Sequence, residues 1–126
     1  MKTPTQLKKI LVVDDDPDIL DALQMTLEDA GYSVTTTEKG EYAENLRDTN
    51  GNLPHLIILD VLLSGRDGRT ICQRLKRQEN TKHIPIIMIS AHPNARQSVK
   101  DVGADDFLAK PFDIDELLAM VAQYLQ

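Results

Sequence analysis

The sequence predicts an α/β domain of the (βα)5 type: a doubly wound, five-stranded parallel sheet with helices on both faces. Three observations predict it. Four short apolar runs are continuous rather than alternating, the pattern of strands covered on both faces. Stretches with helical spacing lie between them, and right-handed crossovers of this kind place helices on either side of a parallel sheet. Polar residues follow the runs directly: Asp14-Asp15-Asp16, Asp60, Ser90, and Lys110 with Pro111. In a parallel sheet these groups emerge at one edge, in the crevice where open α/β folds bind ligands.

Residues 1–8 are expected to form an N-terminal tail and residues 9–126 one folded domain. The first strand is the run Ile10 to Val13. Asp16 can cap the helix that follows, with Pro17 at its first position, Ile19, Leu23 and Leu27 on its apolar face, and Gly31 as a left-handed stop. Ser33 to Thr37 is threonine-rich, and Tyr32, Val34 and Thr36 alternate with polar neighbours, which fits a half-exposed edge strand. A second helix is expected from Tyr42 to Thr49, before the third strand at Leu56 to Leu59. Thr70 to Gln78 follows as a helix with Ile71 and Leu75 inward, then a strand at Ile86 to Ile89. A short helix from Arg96 to Val102 precedes the last strand, Phe107 to Ala109. Asp113 and Glu116 form an aspartate version of a capping box ahead of Ile114, Leu117, Leu118, Val121 and Leu125. Gly65 and Gly68 are expected to serve turns after Asp60.

A chain of 126 residues suits one domain, burying about two thirds of its unfolded surface. The lone Cys72 cannot form an intrachain disulfide and reads as a packed thiol. No apolar stretch approaches the ~20 residues of a membrane span, and no signal peptide is evident. A soluble protein of the reducing cytoplasm is expected, without membrane contact. The formal charge of -6, from 20 acidic and 14 basic residues, disfavours direct nucleic-acid binding. His55, His83 and His92 lack metal-ligand spacing.

ILVVDDDPDIL at 10–20, LIILDVLLSGRDG at 56–68, IIMISAH at 86–92 and GADDFLAKPF at 103–112 together resemble the receiver domain of two-component response regulators. The resemblance runs from about Lys9 to Leu125, with its motifs in order at four strand ends. It implies the flavodoxin-like strand order 2-1-3-4-5. It also implies Asp60 as phosphoacceptor, Asp15 as direct metal ligand, Asp14 as ligand directly or through water, and the backbone carbonyl of Leu62 as a further ligand. Ser90 matches the family's switch hydroxyl and Phe107 its switch aromatic, and the Lys110–Pro111 step is usually cis in the family. The implied function is a signalling switch phosphorylated by a sensor histidine kinase or histidine phosphotransfer protein. It catalyses only its own modification and hydrolysis, and a downstream effector protein reads it as a monomer or a phosphorylation-dependent dimer.

The chemistry of the residues agrees with the resemblance. Carboxylates ~4 Å apart repel by roughly 4 kcal/mol per pair at an effective dielectric near ~20, so clustered acids call for a cation. An all-oxygen site suits Mg²⁺, with Mn²⁺ possible, better than zinc. Asp60 can then attack phosphorus, Lys110 balance the charge on the transferred oxygens, and Ser90 hydrogen-bond one of them. Plainer roles compete: Asp16 as a helix cap, Asp14 and Asp15 as turn carboxylates, Ser90 as a loop hydroxyl, Lys110 as a partner of Asp105 or Asp106, and Phe107 as core.

The chain departs from the family in having Ser64-Gly65 where Pro-Gly is frequent, which predicts a more mobile loop. The spacing from Ser90 to Gly103 is also short, which predicts a reduced fourth helix. Leu62 and His92 are candidates for setting phosphoryl lifetime. Alternative functions are an aspartate-nucleophile phosphatase of the haloacid dehalogenase type and a degenerate, phosphate-independent receiver-like binding module. Against the first, Leu62 stands where such phosphatases carry a second Asp. A flavin carrier is weaker, because the first loop is acidic where phosphate cradling wants backbone amides.

Overall fold

Each buried strand sends alternate side chains to opposite faces, so a continuous apolar run supplies two cores at once. The structure, a computed structural model describing residues 7–46, 53–92 and 94–125, shows this directly. The main sheet contains β1 (Lys9–Val13), β2 (Ser33–Thr37), β3 (Leu56–Asp60), β6 (Ile86–Ser90) and β7 (Asp106–Ala109). All its pairings are parallel. Its order is β2-β1-β3-β6-β7, which is 2-1-3-4-5 when only these strands are counted. Between β3 and β6 lies a small antiparallel hairpin of β4 (Leu62–Leu63) and β5 (Arg66–Asp67).

Ile10, Val12, Leu56, Ile58, Ile87, Ile89 and Leu108 face α1 (Pro17–Asp29) and α5 (Ile114–Tyr124), meeting Leu20, Leu23, Leu27, Leu117 and Val121. Leu11, Val13, Ile57, Leu59, Ile86 and Met88 face the other three helices: α2 (Gly40–Glu44), α3 (Gly68–Arg77) and α4 (Ala95–Asp101). The half-exposed β2 lies at one edge of the sheet, as its alternation predicts.

Helix starts follow local chemistry. Asp16 accepts the Asp18 N–H at 3.0 Å with Pro17 opening α1, and Asp113 accepts the Asp115 N–H at 2.7 Å before α5. Gly31, at φ 100°, carries the chain out of α1 in the left-handed region. Cys72 is buried on α3, and burial pushes its thiol up to about 11.

Two helices differ from the sequence expectation. Helix α2 begins at Gly40 and ends at Glu44 rather than spanning Tyr42 to Thr49; positions 47–49 lie outside the described residues, as do 1–6 of the expected tail. Helix α3 starts at Gly68, because Asp67 accepts the Arg69 N–H at 2.9 Å and caps it two residues early. Gly68 therefore opens a helix rather than making a turn, and a β-carbon there would collide with the Asp60 carbonyl oxygen. Helix α4 is short as expected, with seven residues, Ala95–Asp101, starting one position earlier than Arg96.

Candidate functional site

Register sets the site. Val13 is paired with Leu59, Asp60 with Ile89, and Ser90 with Ala109. The residue ending or following each strand thus comes to one edge, carrying Asp14, Asp60, Ser90 and Lys110 to the same crevice. The backbone continues the pairing there: the Asp14 N–H donates to Thr37, Val61 to Ile89 and Lys110 to Ser90.

Asp14, Asp15 and Asp60 each bring a carboxylate oxygen within 4.8 Å of the others. Lys110 Nζ donates to Asp14 Oδ2 at 3.0 Å and to Asp60 Oδ2 at 3.2 Å. The other oxygens are also engaged. Asp14 Oδ1 accepts the Asp16 N–H at 2.9 Å, and Asp60 Oδ1 accepts the Leu62 N–H at 3.3 Å. Asp15 Oδ2 accepts from the Ser64 hydroxyl at 2.8 Å. Asp14 is fully buried and Asp60 nearly so, whereas Asp15 is partly exposed.

Burial and then the Asp14 charge push the Asp60 carboxyl up to about 6, against the opposing pull of Lys110 and the Leu62 N–H. For Lys110, burial acts to lower the ammonium's pKa. The Asp14 hydrogen bond and charge, with Asp60 behind them, outweigh it and leave the pKa above its ordinary value. The ammonium therefore stays charged between the two acids. Three hard oxygen donors, without His or Cys among them, are a donor set that fits Mg²⁺.

The other expected residues take varied places. Ser90 is buried, and its hydroxyl accepts the His92 N–H at 3.0 Å. The Leu62 side chain is half exposed, and His92 is exposed beside the same crevice. Phe107 is buried, with the Arg96 guanidinium of α4 5.0 Å from its ring centroid. Lys110–Pro111 is cis. Lys110 does not partner Asp105 or Asp106: Asp105 pairs with Lys76 at 2.7 Å, and Asp106 accepts from Tyr124 at 3.0 Å.

The segment after Asp60, expected as a loop, forms a short antiparallel hairpin turning at Ser64-Gly65. Gly65 takes φ 71°. Ser-Gly is a turn signal readable in the sequence, but the bond from Ser64 to Asp15 crosses 49 positions and has no local signature. The anchoring of the hairpin was equally hidden. Arg66 pairs with the buried Glu44 of α2, which also accepts from Arg74 of α3 at 2.6 Å.

A parallel sheet of this order with acids, a hydroxyl and an ammonium at its carboxyl edge defines a class, and comparison confirms it. A profile of the response regulator receiver domain matches residues 10–122, and the chain belongs to that family. Among its relatives is the DNA-binding dual master transcriptional regulator RpaA of Synechocystis sp., 42% identical over 122 residues, covering 95% of this chain and 50% of that protein. The alkaline phosphatase synthesis transcriptional regulatory protein PhoP of Bacillus subtilis is 40% identical, covering 94% and 49%. The chain spans about half the length of the curated relatives it matches. Among solved structures, the response regulator TrrA of Thermotoga maritima in complex with Mg²⁺-BeF superposes with a TM-score of 0.81 at 31% identity, over 94% of this chain and 99% of that one. The chemotaxis response regulator CheY4 of Vibrio cholerae gives the same TM-score, identity and coverage. Among the described residues, no helix is long and apolar enough to cross a membrane.

Proposed function

We propose that this receiver domain, residues 9–126 behind a tail of 1–8, is a phosphorylation-controlled switch in which Asp60 accepts a phosphoryl group from a phosphohistidine. The donor is a sensor histidine kinase or a histidine phosphotransfer protein, and the setting is the cytoplasm. The observation that carries this reading is the Lys110 ammonium bridging Asp14 and Asp60, at 3.0 and 3.2 Å, inside the carboxylate cluster.

Asp14, Asp15, Asp60 and the Leu62 carbonyl would hold Mg²⁺, with Mn²⁺ as a substitute. When bound, the cation supplies positive charge that lets two anions approach one another. Asp60, ionised above about pH 6, attacks phosphorus with a carboxylate oxygen. The new O–P bond forms as the N–P bond of the donor breaks, and the electron pair returns to the imidazole nitrogen, which takes up a proton. Lys110 offsets charge on the transferred oxygens, and Ser90 hydrogen-bonds one of them after leaving the His92 N–H. These contacts differ between the free and phosphorylated states, which is what permits a shift in conformational equilibrium. Phe107, covered by Arg96, is the aromatic through which that shift reaches α4.

The output is a changed surface read by an effector protein, with a monomer or a phosphorylation-dependent dimer as the reading form. Two relatives are named as transcriptional regulators, which supports a gene-regulatory effector. This acidic chain itself makes no direct nucleic-acid contact in the proposal.

The test is intact-mass measurement after incubation with acetyl phosphate and Mg²⁺. The expected result is a gain of one phosphoryl group in the wild type and none in Asp60→Asn. An equal gain in the variant, or none in either protein with acetyl phosphate or a phosphohistidine donor, would overturn the assignment. Turnover of a small phosphoester would instead indicate a phosphatase.

A further inference from the structure

The hairpin after β3 carries Ser64 to the loop after β1, where its hydroxyl donates to Asp15 Oδ2 at 2.8 Å. That hairpin is anchored independently of this bond. Arg66 on β5 pairs with Glu44, whose side chain is only 8% exposed, and reaches Glu41 at 3.7 Å. Arg74 from α3 holds the same Glu44 from a second direction at 2.6 Å. At the base, the Gly68 N–H donates to the Val61 carbonyl at 2.7 Å. Ser64 is therefore presented from a platform tied to α2 and α3.

Asp15 is situated differently. It follows the end of β1 on a loop, is partly exposed, and stands beside two carboxylates whose charge drives it toward solvent. A hydroxyl fixed by its own platform and bonded to one carboxylate oxygen restricts the rotation of that carboxylate.

We propose that Ser64 is a positioning residue for Asp15, its hydroxyl holding Oδ2 and thereby fixing the orientation of the carboxylate within the cluster with Asp14 and Asp60, which raises the affinity of the site for Mg²⁺. The inference rests on the reading of that cluster as a Mg²⁺ site. A carboxylate already oriented does not have to be immobilised when a cation arrives, and a neutral hydroxyl removes no charge from the cluster. Outer partners of metal-ligating groups are commonly worth ~10–100-fold in metal affinity.

Mg²⁺ titration followed by amide ¹H–¹⁵N shifts tests this with wild type, Ser64→Ala, Ser64→Thr and Asp15→Asn. Thermal midpoints in chelator establish that each variant is folded. The expected result is Mg²⁺ affinity roughly 10-fold weaker in Ser64→Ala, close to wild type in Ser64→Thr, and lost in Asp15→Asn. Equal affinity in wild type and Ser64→Ala overturns the role of Ser64 while leaving the Mg²⁺ site standing. So does an equal loss in Ser64→Ala and Ser64→Thr, since the hydroxyl is then not responsible. If the wild type shows no Mg²⁺-dependent shifts, or Asp15→Asn shows the same ones, the site reading falls and the role of Ser64 with it.

Discussion

Asp60 is held in a place that disfavours its charge. Its pKa of about 6 lies above the ordinary 3.8, owing to burial and then to Asp14. Between those values the folded chain binds a proton that the unfolded chain does not, so metal-free stability falls as pH rises through this window and stays reduced above it. Asp60→Asn removes the penalty. In chelator at neutral pH it should melt higher than the wild type, and the gap should narrow as pH drops below about 6. A gap constant with pH in thermal melts would contradict the assignment of cause. Two neighbours are proposed to bear on the lifetime of the phosphorylated state. Leu62 is half exposed beside the carboxylate and presents no polar atom from its side chain to orient water, and His92 is exposed two residues beyond Ser90. Leu62→Asn should shorten the phosphoryl half-life by orienting an attacking water, and His92→Ala should shorten it by uncovering the group. Decay followed by Phos-tag electrophoresis checks both, and unchanged half-lives in both variants would remove the idea.

At the scale of elements, the junction between β3 and α3 is the most constrained part of the site. The helix begins against the backbone that carries Asp60, the proposed phosphoacceptor, and only a hydrogen fits at Gly68 facing the Asp60 carbonyl. Gly68→Ala should cost ~1–3 kcal/mol or more by overpacking and slow phosphorylation, because the backbone that must yield belongs to Asp60. Gly65 differs: a methyl group added there would meet nothing within 4 Å, and only its φ of 71° resists substitution. Gly65→Ala should cost ~1–2 kcal/mol with little effect on phosphorylation. Urea denaturation paired with acetyl phosphate kinetics separates the two. The hairpin at Ser64-Gly65 and the Glu44–Arg66–Arg74 network give this junction pairing that its sequence does not announce.

For the whole molecule, a cation bound at one sheet edge acts on global stability, since the unfolded chain does not gather Asp14, Asp15 and Asp60. Binding stabilises by RT ln(1 + [L]/Kd), or about 2.7 kcal/mol at a concentration ~100 times Kd. Mg²⁺ should therefore raise the thermal midpoint of the wild type in a concentration-dependent way. Asp15→Asn, which removes a proposed ligand outside the two cores, should show little shift. An identical rise in both would point to nonspecific screening of the acidic surface.

The layers of the fold were legible because a strand between two helical layers must be apolar at every position. Ile10 to Val13, Leu56 to Leu59 and Ile86 to Ile89 announce that burial regardless of the residues beyond them. Helix starts were legible where a capping aspartate stands beside Pro17 or before an apolar stripe. Asp67 sets the start of α3 but stands before Gly68-Arg69, neither a proline nor an apolar stripe, and α2 has too little periodicity in Gly40–Glu44 to mark its own limits. The acids and Lys110 could be expected at one edge because parallel register carries strand ends together.

The sequence alone determined the two-faced sheet and the meeting of its strand-end residues, both consequences of local pattern repeated along the chain. Tertiary structure alone decided that Lys110 spans Asp14 and Asp60, that Ser64 holds Asp15, and that Glu44 secures the hairpin from below. Those contacts join side chains tens of residues apart, and their angstrom-scale distances depend on packing that no local run of residues encodes.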